Sequence, residues 1–397
     1  MSDSGRGLGS VAVNFEASKS RTTRWTAAHV ATLSGDAIPQ MPIIGAADVK
    51  PALPGLMLWD MWPVQLRDGS TVVVDGWEVW VIMSAARELH PDARHDVARL
   101  RLAMFRDGEW RDCGDLLPEQ LNPGAREWAG STVYDPATGA LTLFYTATGR
   151  RGETARSFEQ RLFQTTGRLV IANGTISTAD WTTPFENVVS DDHHYVVARE
   201  AEGRPGFIKA FRDPYHFRDP ADGKDYLLFT ASAKASRSEF NGVIGIAVAR
   251  DDGFAEWQLL PPLLSADELN NEMERPVLRV HNGHYYAFWS TQRRTFAPDG
   301  PSGPNGLYGM VAETLFGPYR PLNGSGLVAA NPLEEPLQTY SWWVTQDLEV
   351  AGFIDHWGLK GRSLETNPDL VISQFGGTPA PRFRIALNGD KAHIIAS

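Results

Sequence analysis

The sequence has little cysteine, no long apolar run and no excess of positive charge. Its one cysteine, Cys113, has no partner in the chain, which excludes an internal disulfide. No stretch approaches the roughly 20 apolar residues of a membrane span, and the N-terminus lacks the basic start and apolar run of a secretory signal. We therefore predict a soluble globular protein with no membrane partner.

The charge balance disfavours polyanionic partners. The chain has 37 Lys and Arg residues against 48 Asp and Glu residues, a formal net charge of −11 at pH 7. A protein of this charge repels nucleic acid and anionic lipid, so a neutral substrate is favoured. The ten His residues show no zinc-ligand spacing, and the 37 Gly residues form no phosphate loop or dinucleotide fingerprint. We predict no nucleic-acid partner, no metal and no cofactor.

What the chain does contain is a series of short strand-like segments. Apolar or β-branched runs alternate with Asp-Gly and Asn-Gly pairs, which favour tight hairpin turns because these residues tolerate positive φ. The predicted strands are residues 71–74, 77–83, 100–105, 141–146, 226–231, 242–249, 285–290, 307–311, 350–354 and 383–387. Many hairpin strands without a long apolar helix predict an all-β sandwich, barrel or propeller, and no strict repeat chooses among them.

The N-terminal region differs from the rest of the chain. Residues 1–24 are rich in Ser, Gly and Thr with weak patterning, which predicts a poorly ordered arm. A short helix is predicted over residues 26–33, and no linker-like segment follows residue 40. We therefore predict a single domain over residues 25–397.

Three short acidic segments carry the strongest chemical signal. They are Trp59-Asp60-Met61-Trp62-Pro63, Phe211-Arg212-Asp213-Pro214 and Glu272-Met273-Glu274-Arg275-Pro276. In each segment an aromatic residue, an Arg or a Pro adjoins a carboxylate and supplies a sugar-stacking face, a charge partner or a restricted backbone. A retaining glycosidase needs a nucleophilic carboxylate and a general acid. We therefore interpret the three segments as parts of one active site.

These segments resemble those of the levansucrase and inulosucrase family, glycoside hydrolase family 68, in particular its Gram-negative members. That family carries a W-D-x-W-P segment, an R-D-P segment and an E-R segment in this order. Further similar segments are residues 126–131, 256–263, 317–319, 322–328 and 338–341. The resemblance implies a five-bladed β-propeller with a central active-site funnel and a short N-terminal helical arm. It also implies a retaining enzyme that cleaves sucrose and transfers fructose to sucrose, fructan, an oligosaccharide or water.

The same resemblance assigns roles to the carboxylates. It makes Asp60 the nucleophile that forms a covalent fructosyl-enzyme, and Glu274 the general acid and base. Asp213 would hold the fructose hydroxyls and stabilise the transition state; it is preferred over Asp219 because the family places its R-D-P upstream of a D-G-K turn. Spacing alone does not rank Glu272 and Glu274, but the position before an Arg favours Glu274 as the acid.

Further residues match family positions that line the sugar site. An Arg there forms paired hydrogen bonds that a Lys does not copy, and aromatic rings stack on or enclose a sugar. Glu272 is the expected ligand of sugar hydroxyls. The predicted substrate-binding residues are Trp59, Trp128, Arg212, Glu272, Gln292 and Tyr340.

The chain departs from the family pattern at three places. Gln292 stands where many levansucrases have His or Arg, and Trp342-Trp343 replaces a His followed by an aromatic residue. Thr230 replaces the Glu of an L-F-E-x-N segment. All three changes are expected to lie outside the fructosyl pocket, in the region that receives the acceptor. Formation of the fructosyl-enzyme is therefore expected, while its partition between water, oligosaccharides and polymer is open.

Other interpretations of the sequence stay open. A β-fructofuranosidase would mainly hydrolyse sucrose, an arabinan-type five-bladed glycosidase would invert configuration, and an inactive propeller would only bind carbohydrate. Extracellular location through export without a cleaved leader, as in Gram-negative relatives, and a cytoplasmic location both fit the missing signal. The sequence predicts neither the oligomeric state nor the linkage and length of a product.

Overall fold

The computed structural model describes residues 22–33, 38–199 and 204–395. Within these residues the first strand is β1 (Thr23–Arg24), and the helix α1 (Ala27–Val30) follows it. The helix predicted over residues 26–33 is confirmed but shorter: Thr26 is extended, with φ −122° and ψ 164°, and the helix ends at Val30. No helix of the described part is long and apolar enough to cross a membrane.

The predicted poorly ordered arm, residues 1–24, is wrong at its C-terminal end, and its residues 1–21 lie outside the described part. Thr23–Arg24 pairs in parallel with residues 264–265. The next residue, Trp25, is fully buried, and its indole N–H donates to the Ser325 carbonyl at 2.7 Å. Burial of a large ring against Trp289, with centroids 5.2 Å apart, offsets the entropy lost when this segment is ordered.

All 25 strands of the described residues belong to five sheets of five strands each. The first sheet contains β2 (Leu56–Pro63), β3 (Val73–Val74), β4 (Trp77–Ala86), β5 (Arg99–Arg106) and β6 (Glu109–Asp115). The second contains β7 (Arg126–Asp135), β8 (Ala140–Thr148), β9 (Gln160–Ala172), β10 (Thr175–Ala179) and β11 (Phe185–Val188). The third contains β12 (Phe211–Arg218), β13 (Asp225–Ser232), β14 (Gly242–Ala249) and β15 (Trp257–Ser265), with β1 beside β15.

The last two sheets repeat the plan. The fourth contains β16 (Glu274–His281), β17 (His284–Thr291), β18 (Gly306–Ala312), β19 (Arg320–Pro321) and β20 (Leu327–Ala330). The fifth contains β21 (Thr339–Val344), β22 (Glu349–His356), β23 (Phe375–Pro379), β24 (Phe383–Asn388) and β25 (Lys391–Ile395). The described connections include 3-10 helices at Pro91–Asp96, Glu119–Leu121 and Arg293–Thr295, and the helix α2 (Asp369–Ser373).

In every sheet a run of consecutive strands starts at one edge and continues through antiparallel neighbours, and β1 adds a parallel strand to the far edge of the third sheet; the sheets are therefore blades. The edge strands β2, β7, β12, β16 and β21 are innermost, and their side chains meet at the axis. The molecule is a five-bladed β-propeller, which confirms the predicted fold. All ten predicted strands overlap observed ones, and the Asp-Gly and Asn-Gly pairs make hairpin turns, as at Asn282 and Gly283, where φ is 49° and 77°.

A β-bulge interrupts each innermost strand at the equivalent place. The pairing with the second strand shifts between Trp59 and Met61, Trp128 and Gly130, Arg212 and Tyr215, Glu274 and Val277, and Tyr340 and Trp343. Four residues at these shifts, Asp60, Asp213, Arg275 and Ser341, have positive φ of 29°, 59°, 53° and 58°. Because a bulge adds a residue and turns a side chain away from the strand plane, this repeated feature directs polar groups to the axis.

Candidate active site

The three acidic segments bring their carboxylates to one cavity at the propeller axis. The cavity has a volume of about 520 Å³, and its wall contains Asp60, Trp128, Arg212, Asp213, Glu272 and Glu274. Asp60 comes from β2, Asp213 from β12 and Glu274 from the first position of β16, so three blades contribute one carboxylate each. Residues remote in sequence therefore form a single site.

Asp219, the alternative to Asp213, lies elsewhere. It follows β12, where its carboxylate accepts hydrogen bonds from the Ala221 N–H at 3.0 Å and the Tyr285 hydroxyl at 2.6 Å. Asp213 lies near the other end of β12 and reaches the cavity. The choice of Asp213 over Asp219 therefore agrees with the geometry.

Arg212 connects three of the carboxylates. Its Nη2 donates to Glu274 Oε1 at 2.8 Å and to Glu272 Oε1, and its Nε lies 3.6 Å from Asp213 Oδ2. Because Arg212 is only 7% exposed, these charge-assisted bonds are weakly screened by water. Among the residues that the structure describes, no group of three or more His, Cys, Asp or Glu side chains could hold a metal ion.

Burial and mutual repulsion raise the pKa values of two acids in the cavity, Glu272 and Asp213. Burial, followed by repulsion from Glu274, raises the pKa of Glu272 to about 7, although Arg212 opposes the shift. Burial raises the pKa of Asp213 to about 6 against the opposing effect of Arg212 and Arg275. Because burial and repulsion disfavour ionisation, these acids retain their protons to higher pH than free acids do. When they do ionise, the folded protein becomes less stable.

We predict that Glu272→Gln stabilises the protein at alkaline pH. Since the pKa of Glu272 is about 7 in the folded state and ordinarily 4.5, the folded protein retains a proton that the unfolded chain releases between these values. The contribution of Glu272 to stability therefore falls as pH rises from about 4.5 to 7. Above pH 7 the variant should gain on the order of 1–3 kcal/mol, and below pH 4.5 the gain should vanish. Calorimetric Tm values across this pH range test this, and a variant that is less stable at every pH would contradict it.

Asp60 occupies the bulge of β2. Burial raises the pKa of Asp60, while the Arg275 guanidinium and a hydrogen bond with Ser341 oppose the shift. Two contacts with β2 hold the Arg275 side chain in place. Its Nη2 donates to the Met61 carbonyl at 2.9 Å, and its guanidinium lies 5.4 Å from the Trp62 ring centroid. The structure thus places a cation close enough to Asp60 to favour its carboxylate form.

Aromatic rings form one side of the cavity, where Trp128, Phe158 and His95 line the wall, whereas the predicted substrate-binding residue Trp59 lies behind that wall. Trp59 is 1% exposed, and the ring of His95 lies edge-on to Trp59 and to Trp128, at centroid distances of 5.6 Å and 6.1 Å. The Trp128 indole N–H donates to the His95 carbonyl at 3.1 Å. Burial, then Arg94 and Arg212, lower the pKa of His95 well below its usual value, so its imidazole is neutral. Sequence reasoning missed His95, which lies in a 3-10 helix without a recognisable motif.

The remaining predicted residues lie on the side of Glu274. The Tyr340 hydroxyl donates to Glu274 Oε2, so both oxygens of this carboxylate have donors. Gln292 lines a second, outer cavity of about 1000 Å³. The two cavities share Asp92, His95 and Arg294, so the outer cavity adjoins the axial site.

Thr230 does not line the axial cavity, but the expectation that it lies in the acceptor region is wrong. Its side chain is fully buried beneath Asp213, and its hydroxyl donates to Asp213 Oδ2 at 3.0 Å. The same hydroxyl accepts the N–H of Arg275 at 3.0 Å. Thr230 therefore connects the bulge of β12 with the bulge of β16. Its short side chain places the hydroxyl in direct contact with a carboxylate of the site.

The expectation that Trp342-Trp343 belongs to the acceptor region is also wrong. These residues are 2% and 1% exposed. The Trp343 ring packs against Tyr215 at 5.2 Å and lies 5.5 Å from the Arg275 guanidinium. Both rings therefore belong to the core that supports the site, since large rings are placed most favourably where they bury area.

The axial cluster of carboxylates bound by Arg212 on a five-bladed propeller supplies the nucleophile and the acid that a glycoside hydrolase needs. Comparison with known proteins shows which family of glycoside hydrolases the chain belongs to. The family profile described as Levansucrase/Invertase, glycoside hydrolase family 68, matches residues 13–243 and 235–396. The chain belongs to this family, as the three acidic segments predicted.

Individual relatives agree over nearly the whole chain. Levansucrase LscC of Pseudomonas savastanoi pv. glycinea is 32% identical over an alignment that covers 96% of this chain and 91% of the relative. The extracellular sucrase of Zymomonas mobilis is also 32% identical, with 95% and 92% covered. The structure of inulosucrase from Halalkalicoccus jeotgali bound to kestose superimposes with a TM-score of 0.86 at 40% identity, and the match covers 94% of this chain and 95% of that one.

Proposed function

We propose that this chain cleaves sucrose with retention of configuration and transfers the fructosyl unit to sucrose, an oligosaccharide, fructan or water. The convergence of Asp60, Asp213 and Glu274 on one axial cavity carries the proposal. Membership of the Levansucrase/Invertase family supports it, because relatives of this chain are named levansucrase, inulosucrase and sucrase. The arabinan-type alternative has no such support.

The first half-reaction uses the two carboxylates that the bulges direct to the axis. Asp60 attacks the anomeric C2 of the fructosyl unit, while Glu274 gives a proton to the glycosidic oxygen and glucose departs. Asp213 binds fructose hydroxyls and stabilises the positive charge that develops on the ring. Arg212 holds Glu274 and Glu272 in position through its bonds to both.

The second half-reaction reverses the roles at Glu274. The carboxylate takes a proton from the incoming hydroxyl, which attacks C2 and displaces Asp60. Two inversions give net retention. Water completes hydrolysis, and a sugar hydroxyl completes transfer, so the outcome depends on which acceptor occupies the space beside the fructosyl-enzyme.

Transfer is favoured by the outer cavity. This cavity has a volume of about 1000 Å³ and shares Asp92, His95 and Arg294 with the wall of the axial cavity. A space of this size accommodates an oligosaccharide. The inulosucrase with 40% identity was solved with kestose bound. We therefore propose oligosaccharide acceptors, with hydrolysis in competition.

A time course on sucrose tests the proposed function. We expect glucose release with a deficit of free fructose, and β-configured products when the anomers are analysed early. Equal release of both sugars would indicate a β-fructofuranosidase. Absence of glucose release by a folded protein would contradict sucrose cleavage altogether, and an inverted product would exclude the covalent intermediate.

We predict that Thr230→Val weakens catalysis through Asp213. Valine has nearly the same shape but leaves both the buried Asp213 Oδ2 and the Arg275 N–H without this partner. An unpaired buried polar group costs about 1–3 kcal/mol, so kcat/KM for sucrose should fall about 10- to 100-fold. Steady-state kinetics provide the measurement.

Thr230→Ser is the matched control for this prediction. Serine keeps the hydroxyl that bonds Asp213 and Arg275, so its kcat/KM should stay within about threefold of the wild type. If Thr230→Val and Thr230→Ser lose equal activity, packing of the γ-methyl group, rather than the hydroxyl, determines the effect.

A further inference from the structure

Two arginines in the interior of the propeller have no close acidic partner. Arg275 and Arg279, both on β16, are 4% and 2% exposed. Among the residues that the structure describes, neither guanidinium forms an ion pair at 4.0 Å or less. A buried charge is costly unless other groups compensate for the water it has lost, so the contacts of these two side chains need an explanation.

Aromatic rings stabilise the charge of Arg275. Its guanidinium lies 5.4 Å from the ring centroid of Trp62 and 5.5 Å from that of Trp343. The face of an aromatic ring attracts a cation, and the attraction is stronger where water is excluded. Residues of β2 and β21 therefore hold this guanidinium in place without neutralising its charge.

The Trp343 ring is itself fixed by Arg279 and Tyr215. The Arg279 guanidinium lies 6.0 Å from the Trp343 ring centroid, and the Tyr215 ring lies edge-on to it at 5.2 Å. Arg279 is anchored in turn, because its Nε donates to the Val344 carbonyl at 2.8 Å and its Nη1 to the Tyr215 hydroxyl at 2.6 Å. These contacts restrict movement of the Trp343 ring, and thereby the position of the guanidinium that it holds.

Arg275 acts on two carboxylates of the site from a distance. Burial disfavours ionisation of Asp60 and Asp213, and the charge of Arg275 opposes this effect in both. A direct ion pair would occupy the oxygen lone pairs with which a nucleophile attacks. A cation placed further away favours the carboxylate form and leaves the oxygens free.

We propose that Trp343 is a positioning residue for the nucleophile. By its contacts with Arg275 and Arg279, it holds the Arg275 cation where that charge keeps Asp60 ionised without binding it. The inference rests on the proposed function and adds to it a residue that does not line the axial cavity. Its effect on catalysis is therefore electrostatic and is expected in the pH dependence, since Trp343 has no position from which to touch a sugar there.

Three other charges act on Asp60. Those of Glu274 and Asp213 oppose its ionisation, and that of Arg94 favours it. The Arg94 guanidinium has its own aromatic support, 4.8 Å from the Phe375 ring centroid. The hydrogen bonds and ring contacts described for these three groups do not include the tryptophan of β21, so its replacement leaves them in place.

The test compares Trp343→Leu with Trp289→Leu in the full-length chain. Trp289 is also buried, but its ring packs against the rings of Trp25 and Tyr308 rather than against a guanidinium. An opposite charge within about 4–6 Å lowers the pKa of an acid by about 1–3 units, and a guanidinium without its ring support loses part of this effect. We therefore expect the acid-side midpoint of kcat/KM for sucrose to rise by about 0.5–1 pH unit in Trp343→Leu, and by less than about 0.2 in Trp289→Leu.

Plateau values separate positioning from general disturbance. Above the midpoint, Trp343→Leu should retain kcat within about threefold and KM within about twofold of the wild type. Trp343→Phe keeps an aromatic face, so its midpoint should stay within about 0.3 pH unit of the wild type. If Trp343→Leu does not fold, Trp343→Met takes its place, because methionine fills more of the space without a ring face. A loss of kcat at every pH with an unmoved midpoint would show a packing role alone and overturn the inference.

The route through Arg275 is tested by a double-variant cycle. Arg275→Met removes the cation and should raise the midpoint by about 1 pH unit or more, after which adding Trp343→Leu should move it by less than about 0.2. A further shift as large as that of Trp343→Leu alone would refute action through Arg275.

A measurement without turnover separates this inference from the proposed function. A ¹³C NMR titration of the Asp carboxyl carbons, with Asp60 assigned from its absence in Asp60→Asn, should show the same rise in midpoint for Trp343→Leu. An unmoved Asp60 titration in Trp343→Leu would refute the inference. Failure of the wild type to release glucose from sucrose would refute the proposed function instead, and the titration would still decide whether Trp343 controls ionisation of Asp60.

Discussion

Asp60→Asn should abolish sucrose cleavage while leaving the fold intact. The amide keeps the size and position of the side chain but cannot form the covalent fructosyl-enzyme. We expect kcat to fall by at least about 10⁴-fold, equivalent to about 5 kcal/mol, as for loss of other covalent nucleophiles. Glucose release measured over days at high enzyme concentration provides the necessary range.

Stability distinguishes this loss from misfolding. Burial raises the pKa of Asp60, so ionisation of this residue opposes folding and the neutral amide removes that cost. The Tm of Asp60→Asn at pH 8 should therefore be no lower than that of the wild type. An active Asp60→Asn variant would show that Asp60 is not the nucleophile, and an inactive, unfolded one would leave Asp60→Ala to decide.

The sequence predicted the middle of each blade far better than its inner edge. The apolar segment Gly242–Ala249 coincides with β14, since a strand buried on both faces is a nearly continuous run of small and branched residues. None of the innermost strands was predicted. In Phe211–Arg218 and Glu274–His281, charged residues and Pro interrupt the β pattern. Those interruptions are the site itself, so the elements that carry function were the ones whose local pattern was weakest.

The residues of the candidate active site also differ in how well the sequence predicted them. Asp60, Asp213 and Glu274 could be selected from sequence because each has distinctive neighbours, and the structure brings them together. His95 could not, because it reaches the cavity from a connection between β4 and β5 that has no chemical signature. The contact of Thr230 with Asp213 depends on how β13 lies behind the bulge of β12, which no short-range pattern encodes.

Glu274→Gln should slow sucrose cleavage to an extent that depends on the leaving group. Glutamine cannot protonate the departing glucose, and loss of a general acid and base costs about 10²- to 10⁴-fold in kcat. A p-nitrophenolate leaving group needs no proton, and azide attacks the fructosyl-enzyme without a general base. With p-nitrophenyl β-fructofuranoside and azide, we therefore expect the loss to shrink to less than about tenfold. Stopped assays on both donors measure the difference.

Glu272→Gln is the matched control, because Glu272 lies two residues away and is bound by the same Arg212. The two acids differ in setting: the side chain of Glu274 is 16% exposed and has Tyr340 as a second donor, whereas that of Glu272 is 5% exposed. A ligand of sugar hydroxyls acts equally on every fructosyl donor, so Glu272→Gln should lose similar activity on sucrose and on the activated donor. If leaving-group dependence instead followed Glu272, the two glutamates would exchange roles: Glu272 would be the acid and base, and Glu274 the ligand of sugar hydroxyls.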